Sequence, residues 1–333
     1  MTQATQARRM SRSRIVLLTL LAMMAFAGNS LLCRLALKHT PIDAASFTAV
    51  RLVSASLVLC LLAGGLHRSW RGGGNWPSAF ALFAYAAGFS FAYISLPAAT
   101  GALLLFGAVQ ATMIGYGVWA GERLRSLQLG GFVLALCGLV ALVLPGLAAP
   151  PQGSAVLGSG GVSSADLRSA LLMIGAGMAW GVYSLRGRAG VGSGGPITVT
   201  AGNFVRTVPL TLGLSLGLGL FWAGNMSLDA TGVGYGVVSG ALTSGIGYAI
   251  WYRVLPALKA ASAATVQLSV PVIAAAGGVV FIGEPLSLRL VLASIAILAG
   301  IALVILNKKQ TPVLNSEPMA GSPPAAPADN ARP

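Results

Sequence analysis

Acidic side chains are what this sequence has least of. Seven Asp and Glu stand against 21 Lys and Arg in 333 residues, and charged residues of both signs make up 8% of the chain. A soluble domain carries about 25%. None of the seven falls within the long apolar runs. That excludes a membrane-buried carboxylate relay for protons, and with it a sodium site built on such carboxylates. Only two histidines occur, His39 and His67, both at loop positions, and no H-E-x-x-H signature is present. There is no G-x-S-x-G nucleophile elbow and no Walker A loop. Neither an intramembrane hydrolase nor an ATP-driven pump is expected, and no cofactor. The three cysteines, Cys33, Cys60 and Cys137, lie in apolar runs at spacings that fit no metal motif or disulfide framework. They are expected to be buried free thiols.

What the chain has in abundance is apolar length: 56% of it is hydrophobic. The runs recur from end to end, each near the 20 residues or so that cross a bilayer as a helix. Ten spans are expected, at about 15–37, 44–66, 77–95, 97–119, 127–145, 168–186, 197–221, 231–252, 260–282 and 286–306. Residues 146–167, rich in Pro, Gly and Ser, read as a linker. The polar segment 307–333 reads as a disordered tail, and 1–14 as a basic N-terminus. Arg8, Arg9, Arg12 and Arg14, followed by Ala25-Phe26-Ala27, imitate a cleavable signal. The apolar run continues to Leu37, so retention as a first span is expected.

The formal charge of +14 would suggest nucleic acid in a soluble protein. Here the basic residues sit between apolar runs, and no nucleic-acid partner is expected. With the N-terminus in the cytoplasm, the inside segments hold Arg68, Arg71, Arg123, Arg125, Arg186, Arg188, Arg253, Lys259, Lys308 and Lys309 besides the N-terminal arginines. The outside segments hold Lys38, Arg168 and Arg289. This bias follows the positive-inside rule. It implies a multi-pass protein of the inner membrane with both termini cytoplasmic.

The chain also repeats itself. "FTAVRLVSASLVL" (47–59) lies against "GNFVRTVPLTLGL" (202–214), which sets Arg51 over Arg206. "AGNSLLCR" (27–34) matches "WGVYSLRG" (180–187) loosely, and "YISLPA" (93–98) matches "YRVLPA" (252–257). "AGERLRSLQLGGFVLALCGLVALVL" (120–144) matches "IGEPLSLRLVLASIAILAGIALVI" (282–305), with Glu122 over Glu284. Two units of five spans, 15–145 and 168–306, follow. Five is odd, so the second unit enters from the opposite side, as an inverted repeat of the kind found in secondary transporters.

On these residues the chain resembles the drug/metabolite transporter superfamily, in its ten-span EamA-type branch. Each half ends in a G-E-[RP]-L turn followed by a Gly-punctuated span, and each carries V-R in its second span. Two positions depart from the family pattern. Ala27-Gly28 stands where the second half has Trp180-Gly181, and Val109 stands where the second half keeps Pro271. The resemblance implies an all-α integral membrane protein of ten transmembrane helices in two inverted five-helix repeats. It implies a secondary transporter or exporter of a small metabolite such as an amino acid, with alternating access around a midplane cavity. A passive channel or facilitator is the first alternative, and an intramembrane enzyme the second. The partners are a small-molecule substrate and the lipid bilayer.

The candidate substrate-binding residues are Asn29, Arg51, Tyr93, Gln110, Trp180, Tyr183, Asn203, Arg206, Tyr248 and Gln267. An unpaired guanidinium in hydrocarbon costs at least about 2.5–3.5 kcal/mol on insertion scales. Two readings of Arg51 and Arg206 therefore stand open: capture of an anionic group such as a substrate carboxylate, or snorkelling and ties to backbone carbonyls. Arg34 is expected to snorkel. Glu122 and Glu284 are expected to cap the spans that follow them.

Overall fold

Helix starts follow local chemistry. The computed structural model describes residues 10–67, 73–121, 126–143, 164–189, 195–221, 227–258 and 266–306. The Asp43 carboxylate accepts from the N–H groups of Ala45 and Ser46 and opens one helix. Asn75 accepts from Ser78 N, with Pro77 in the first turn, and Asp229 accepts from Gly232 N. Each side chain satisfies donors that a helix start leaves free. After Ile282 the chain reverses through Gly283 at φ 68°, a left-handed conformation that glycine adopts without penalty.

The helices are α1 (Arg12–His39), α2 (Ala44–Leu62), α3 (Trp76–Ala92), α4 (Ala98–Trp119), α5 (Ser126–Val143), α6 (Ser164–Ala189), α7 (Gly195–Phe221), α8 (Ala230–Ala257), α9 (Ser269–Ile282) and α10 (Leu288–Leu306). A helix thus occupies each segment expected to span, and no strand occurs among the described residues. Among those residues α1, α2, α4 and α8 are long and apolar enough to cross a bilayer. Stretches of α5, α9 and α10 are apolar but shorter. Residues 146–163 of the linker, the tail, most of the N-terminus and Glu122 lie outside the described residues, and the last four linker residues, 164–167, instead begin α6.

The outer surface carries Leu17, Leu20, Met24, Leu61, Leu216 and Phe281, each more than half exposed. A water-soluble monomer rarely shows so much apolar surface; hydrocarbon tolerates it, because helices satisfy their own backbone. Cys33 and Cys60 are buried, but Cys137 is exposed on α5, contrary to expectation. It borders a groove with Leu292 and Ala296 of α10, beside the inner face that α5 commits to that helix. At that inner face two backbones meet: a Cβ on Gly131 would lie 2.7 Å from Gly300 O. Only a small residue permits this approach.

Interhelix packing crosses between the halves. α1 packs on α8 and α9, and α6 on α3 and α4. α2 lies against α7, α4 against α9, and α5 against α10. α8 is not regular throughout. Ser239–Ile246 forms a π-helix between α-helical Ala230–Val238 and Gly247–Val254. π segments are rare and often occur at functional sites.

Candidate functional site

A cavity of about 250 Å³ opens among α1, α3, α4, α6, α8 and the residues that begin α7 and precede α9. One water occupies about 30 Å³ of liquid, so this is room for a small metabolite. Aromatic rings form much of the lining. Trp180 stacks on Tyr248 at 5.3 Å and lies 4.7 Å from Tyr85. Phe26 meets Tyr248 at 5.5 Å and Trp251 at 5.9 Å. Polar groups enter between them from Asn29, Ser30, Gln110, Ser184, Thr243 and Gln267. No carboxylate, lysine or arginine lines the cavity among the described residues. An apolar pocket with a few placed polar groups is the usual form of a small-molecule site.

The π segment is fixed to this wall by Asn29. Its Oδ1 accepts from Ser239 Oγ at 2.7 Å and from Thr243 Oγ1 at 3.4 Å. Its Nδ2 donates to the Tyr85 hydroxyl at 3.3 Å. One buried amide therefore joins α1, α3 and α8, and its partners explain how an asparagine persists in an apolar helix.

The cavity has two unlike ends. Ser184 and Gly187 near the end of α6, Pro196 at the start of α7, Leu255 late in α8 and Gln267 before α9 surround one of them. The opposite end of α9 carries Glu284. Its Oε1 accepts from Arg34 Nε at 3.0 Å, and its Oε2 accepts from Ala98 N at 2.7 Å. Arg34 Nη1 donates to the carbonyls of Tyr93 and Ile94. The ion pair is largely buried, at 11% and 7% exposure. It ties α1, the α3–α4 turn and the α9–α10 turn together. Two expectations are corrected here. Arg34 does not snorkel, because a carboxylate and two carbonyls meet it inside the protein. Glu284 caps α4 in the other half, not the helix that follows it.

Of the ten candidate residues, Asn29, Gln110, Trp180, Tyr248 and Gln267 line the cavity. The other five lie behind it or away from it. Tyr93 is fully buried in the α3–α4 turn, where its hydroxyl donates to Ala98 O. The Tyr183 hydroxyl accepts from Asn203 Nδ2 at 3.4 Å, and Asn203 Oδ1 accepts from Asn75 N. Arg206 Nη1 donates to Gly73 O at 2.9 Å and to Gly202 O at 2.8 Å, which fixes the approach to α3 against α7. Arg51 is 2% exposed. Its guanidinium lies 4.8 Å from the Phe89 ring and 5.7 Å from the Tyr85 ring, both of which line the cavity.

Tyr85, Phe89, Phe26 and Trp251 were not singled out by the sequence. Aromatic residues in apolar runs look the same whether they face a cavity or a core. The Arg34–Glu284 pair spans the two halves and left no local pattern.

A bundle of apolar helices thus surrounds a polar–aromatic chamber of metabolite size. Residues 167–306 match the EamA-like transporter family. An uncharacterized protein of Pseudomonas aeruginosa is 51% identical over 296 residues, covering 88% of this chain and 94% of its own length. The threonine/homoserine exporter RhtA of Salmonella typhimurium is 29% identical over 139 residues, which is 42% of this chain and 45% of that exporter. An uncharacterized transporter of Archaeoglobus fulgidus is 27% identical over 190 residues, 55% of this chain and 59% of its own. A protein of known crystal structure, 21% identical, superposes with a TM-score of 0.56 over 89% of this chain and 98% of its own, a likeness of fold. The chain belongs to the EamA-like transporters of the drug/metabolite transporter superfamily.

Proposed function

We propose that the chain is a secondary transporter that exports a small metabolite, an amino acid or a related compound, across the inner membrane. The observation that carries this reading is one cavity lined from both halves: α1, α3 and α4 from the first, α6, α7, α8 and Gln267 before α9 from the second. Such a site suits alternating access, in which two repeats rock about a shared centre. The packing supports two related halves. Exchanging α1–α5 with α6–α10 turns the α1 contacts with α8 and α9 into the α6 contacts with α3 and α4. The same exchange pairs α2 with α7, α4 with α9, and α5 with α10.

Ten spans with both termini in the cytoplasm follow from the basic residues. On that orientation, the ends of α6 and α8 and the start of α7 lie inside. The cavity then faces the cytoplasm, and the Arg34–Glu284 pair closes its outer end. Export requires the inner mouth to close and that pair to part. Asn29, Gln110, Trp180, Tyr248 and Gln267 hold the substrate in this reading. Tyr93, Tyr183, Asn203 and Arg206 support the wall from behind, and Arg51 acts from beyond Tyr85 and Phe89. RhtA, by its description, exports threonine and homoserine, so these two amino acids are the first substrates to try.

The test is efflux. Cells loaded with labelled threonine or homoserine, or profiled without a chosen substrate, are compared with and without the protein at equal membrane levels. A solute that leaves faster only with the protein supports the reading. Single-channel currents with no saturable efflux would replace it with a channel.

A further inference from the structure

Arg51 is a buried charge with no counter-charge among the described side chains. Its Nη2 donates a long bond, 3.4 Å, to Ala86 O, and its Nη1 has no hydrogen-bond partner. Three acidic side chains are engaged elsewhere. Asp43 caps α2, Asp229 caps α8, and Glu284 takes Arg34. What touches the guanidinium instead is the pair of rings Phe89 and Tyr85. A ring face attracts a cation but does not neutralise it. Both rings also line the cavity, and Tyr85 stands 4.7 Å from the lining ring of Trp180.

A full positive charge thus stands one ring behind a chamber that contains no ionised side chain of its own among the described residues. Water and salt screen such a charge poorly in a low-dielectric wall. Its field concentrates anions in the chamber and depletes cations. We propose that Arg51 sets the charge selectivity of the cavity from behind the Tyr85–Phe89 wall, so that the solutes admitted carry a carboxylate and free cations are refused. A zwitterion enters with its carboxylate toward Tyr85. Arg51 is therefore a specificity residue acting at a distance. Arg206 has no share in this, since backbone carbonyls hold it near the α3 start. The inference rests on the transport reading for its meaning and adds to it the charge class of the substrate.

The experiment needs no transport and no known substrate. Full-length protein is made with Trp180 as its only tryptophan, the other five replaced by Phe, and placed in nanodiscs of zwitterionic lipid. Fluorescence quenching by iodide, caesium and neutral acrylamide is measured at constant ionic strength, each relative to free N-acetyltryptophanamide. Iodide should quench Trp180 about threefold or more efficiently than caesium, given the focusing of an unscreened charge in a cleft. Arg51→Met should bring that ratio close to one while acrylamide quenching stays the same. Should Arg51→Met fail to yield a monodisperse protein, Arg51→Gln serves for the same comparison. A ratio near one in the parent, or an undiminished ratio in the neutral variant, overturns the proposal. Failed amino-acid efflux beside selective quenching would refute the transport reading alone.

Discussion

Arg34 and Glu284, 250 positions apart, join their side chains at 3.0 Å and between them hold two backbone turns. The pair is buried, so removing either partner strands the other where water cannot reach it freely. Arg34→Ala and Glu284→Ala should each lower the thermal midpoint of the purified protein. The double variant should lose less than both together, with a coupling of about 0.5–3 kcal/mol in a double-mutant cycle. Full additivity would mean that the ion pair contributes nothing. If this end of the cavity opens for export, Arg34→Ala should also raise labelling of Ser30→Cys by an impermeant maleimide added outside, in a background lacking the native cysteines.

Asn29 is the joint between α1, α3 and the π segment. Asn29→Leu keeps the branching and heavy-atom count of the side chain and removes the acceptor of the Ser239 hydroxyl. The stranded group should cost about 1–3 kcal/mol of stability. Efflux should fall further than that loss explains, because Tyr85 also loses one of its partners at the cavity wall. An Asn29→Leu protein as stable as the parent would show that the three helices are held by packing alone.

Gly240 lies where α8 touches α2. A Cβ there would fall on Ser54 Oγ and on the backbone oxygen of Arg51. Gly240→Ala should therefore destabilise by about 1–3 kcal/mol, the range for overpacking. Gly234→Ala, four residues after Ala230 and facing open space, is the control and should be nearly neutral. Adding Ser54→Ala to Gly240→Ala should recover part of the loss, since one of the two collisions remains. Thermal melting in detergent reads all three.

The inverted arrangement has its own test. Leu124→Cys and Leu286→Cys, placed in the two similar G-E-x-L turns, should label from opposite faces of the membrane. Labelling of both from one face would end the inverted-repeat reading.

Much of this organisation was legible in the sequence because bilayers impose simple rules. Apolar length marks the helices. The V-R repeat drew attention to Arg51 and Arg206, but it could not tell what surrounds each one. Arg206 meets the carbonyls of Gly73 and Gly202, whereas Arg51 meets rings and a single distant carbonyl. Equal sequence, unequal surroundings: the difference comes from helices contributed by other parts of the chain. Glu284 shows the same limit. Its place after α9 suggested a local cap, yet its two oxygens serve Arg34 and Ala98, far away along the chain. The polar candidates Asn29, Gln110, Tyr248 and Gln267 could be guessed, because a polar group in an apolar run needs a partner or a cavity. Phe26, Phe89 and Trp251 gave no such signal.

The π segment has a consequence for reading related chains. A wide turn holds surplus backbone, so a deletion within Ser239–Ile246 is absorbed by a return to ordinary winding, whereas a deletion in the regular turns before it, Ala230–Val238, is not. Everything after such an upstream deletion would swing by about 100° around the helix axis. Tyr248 would leave Trp180, and Trp251 would leave Phe26. The phase of that aromatic face is thus encoded by length, not by residue identity. Two sequences with the same tyrosine and tryptophan, one residue out of step upstream, would present different walls to whatever they carry.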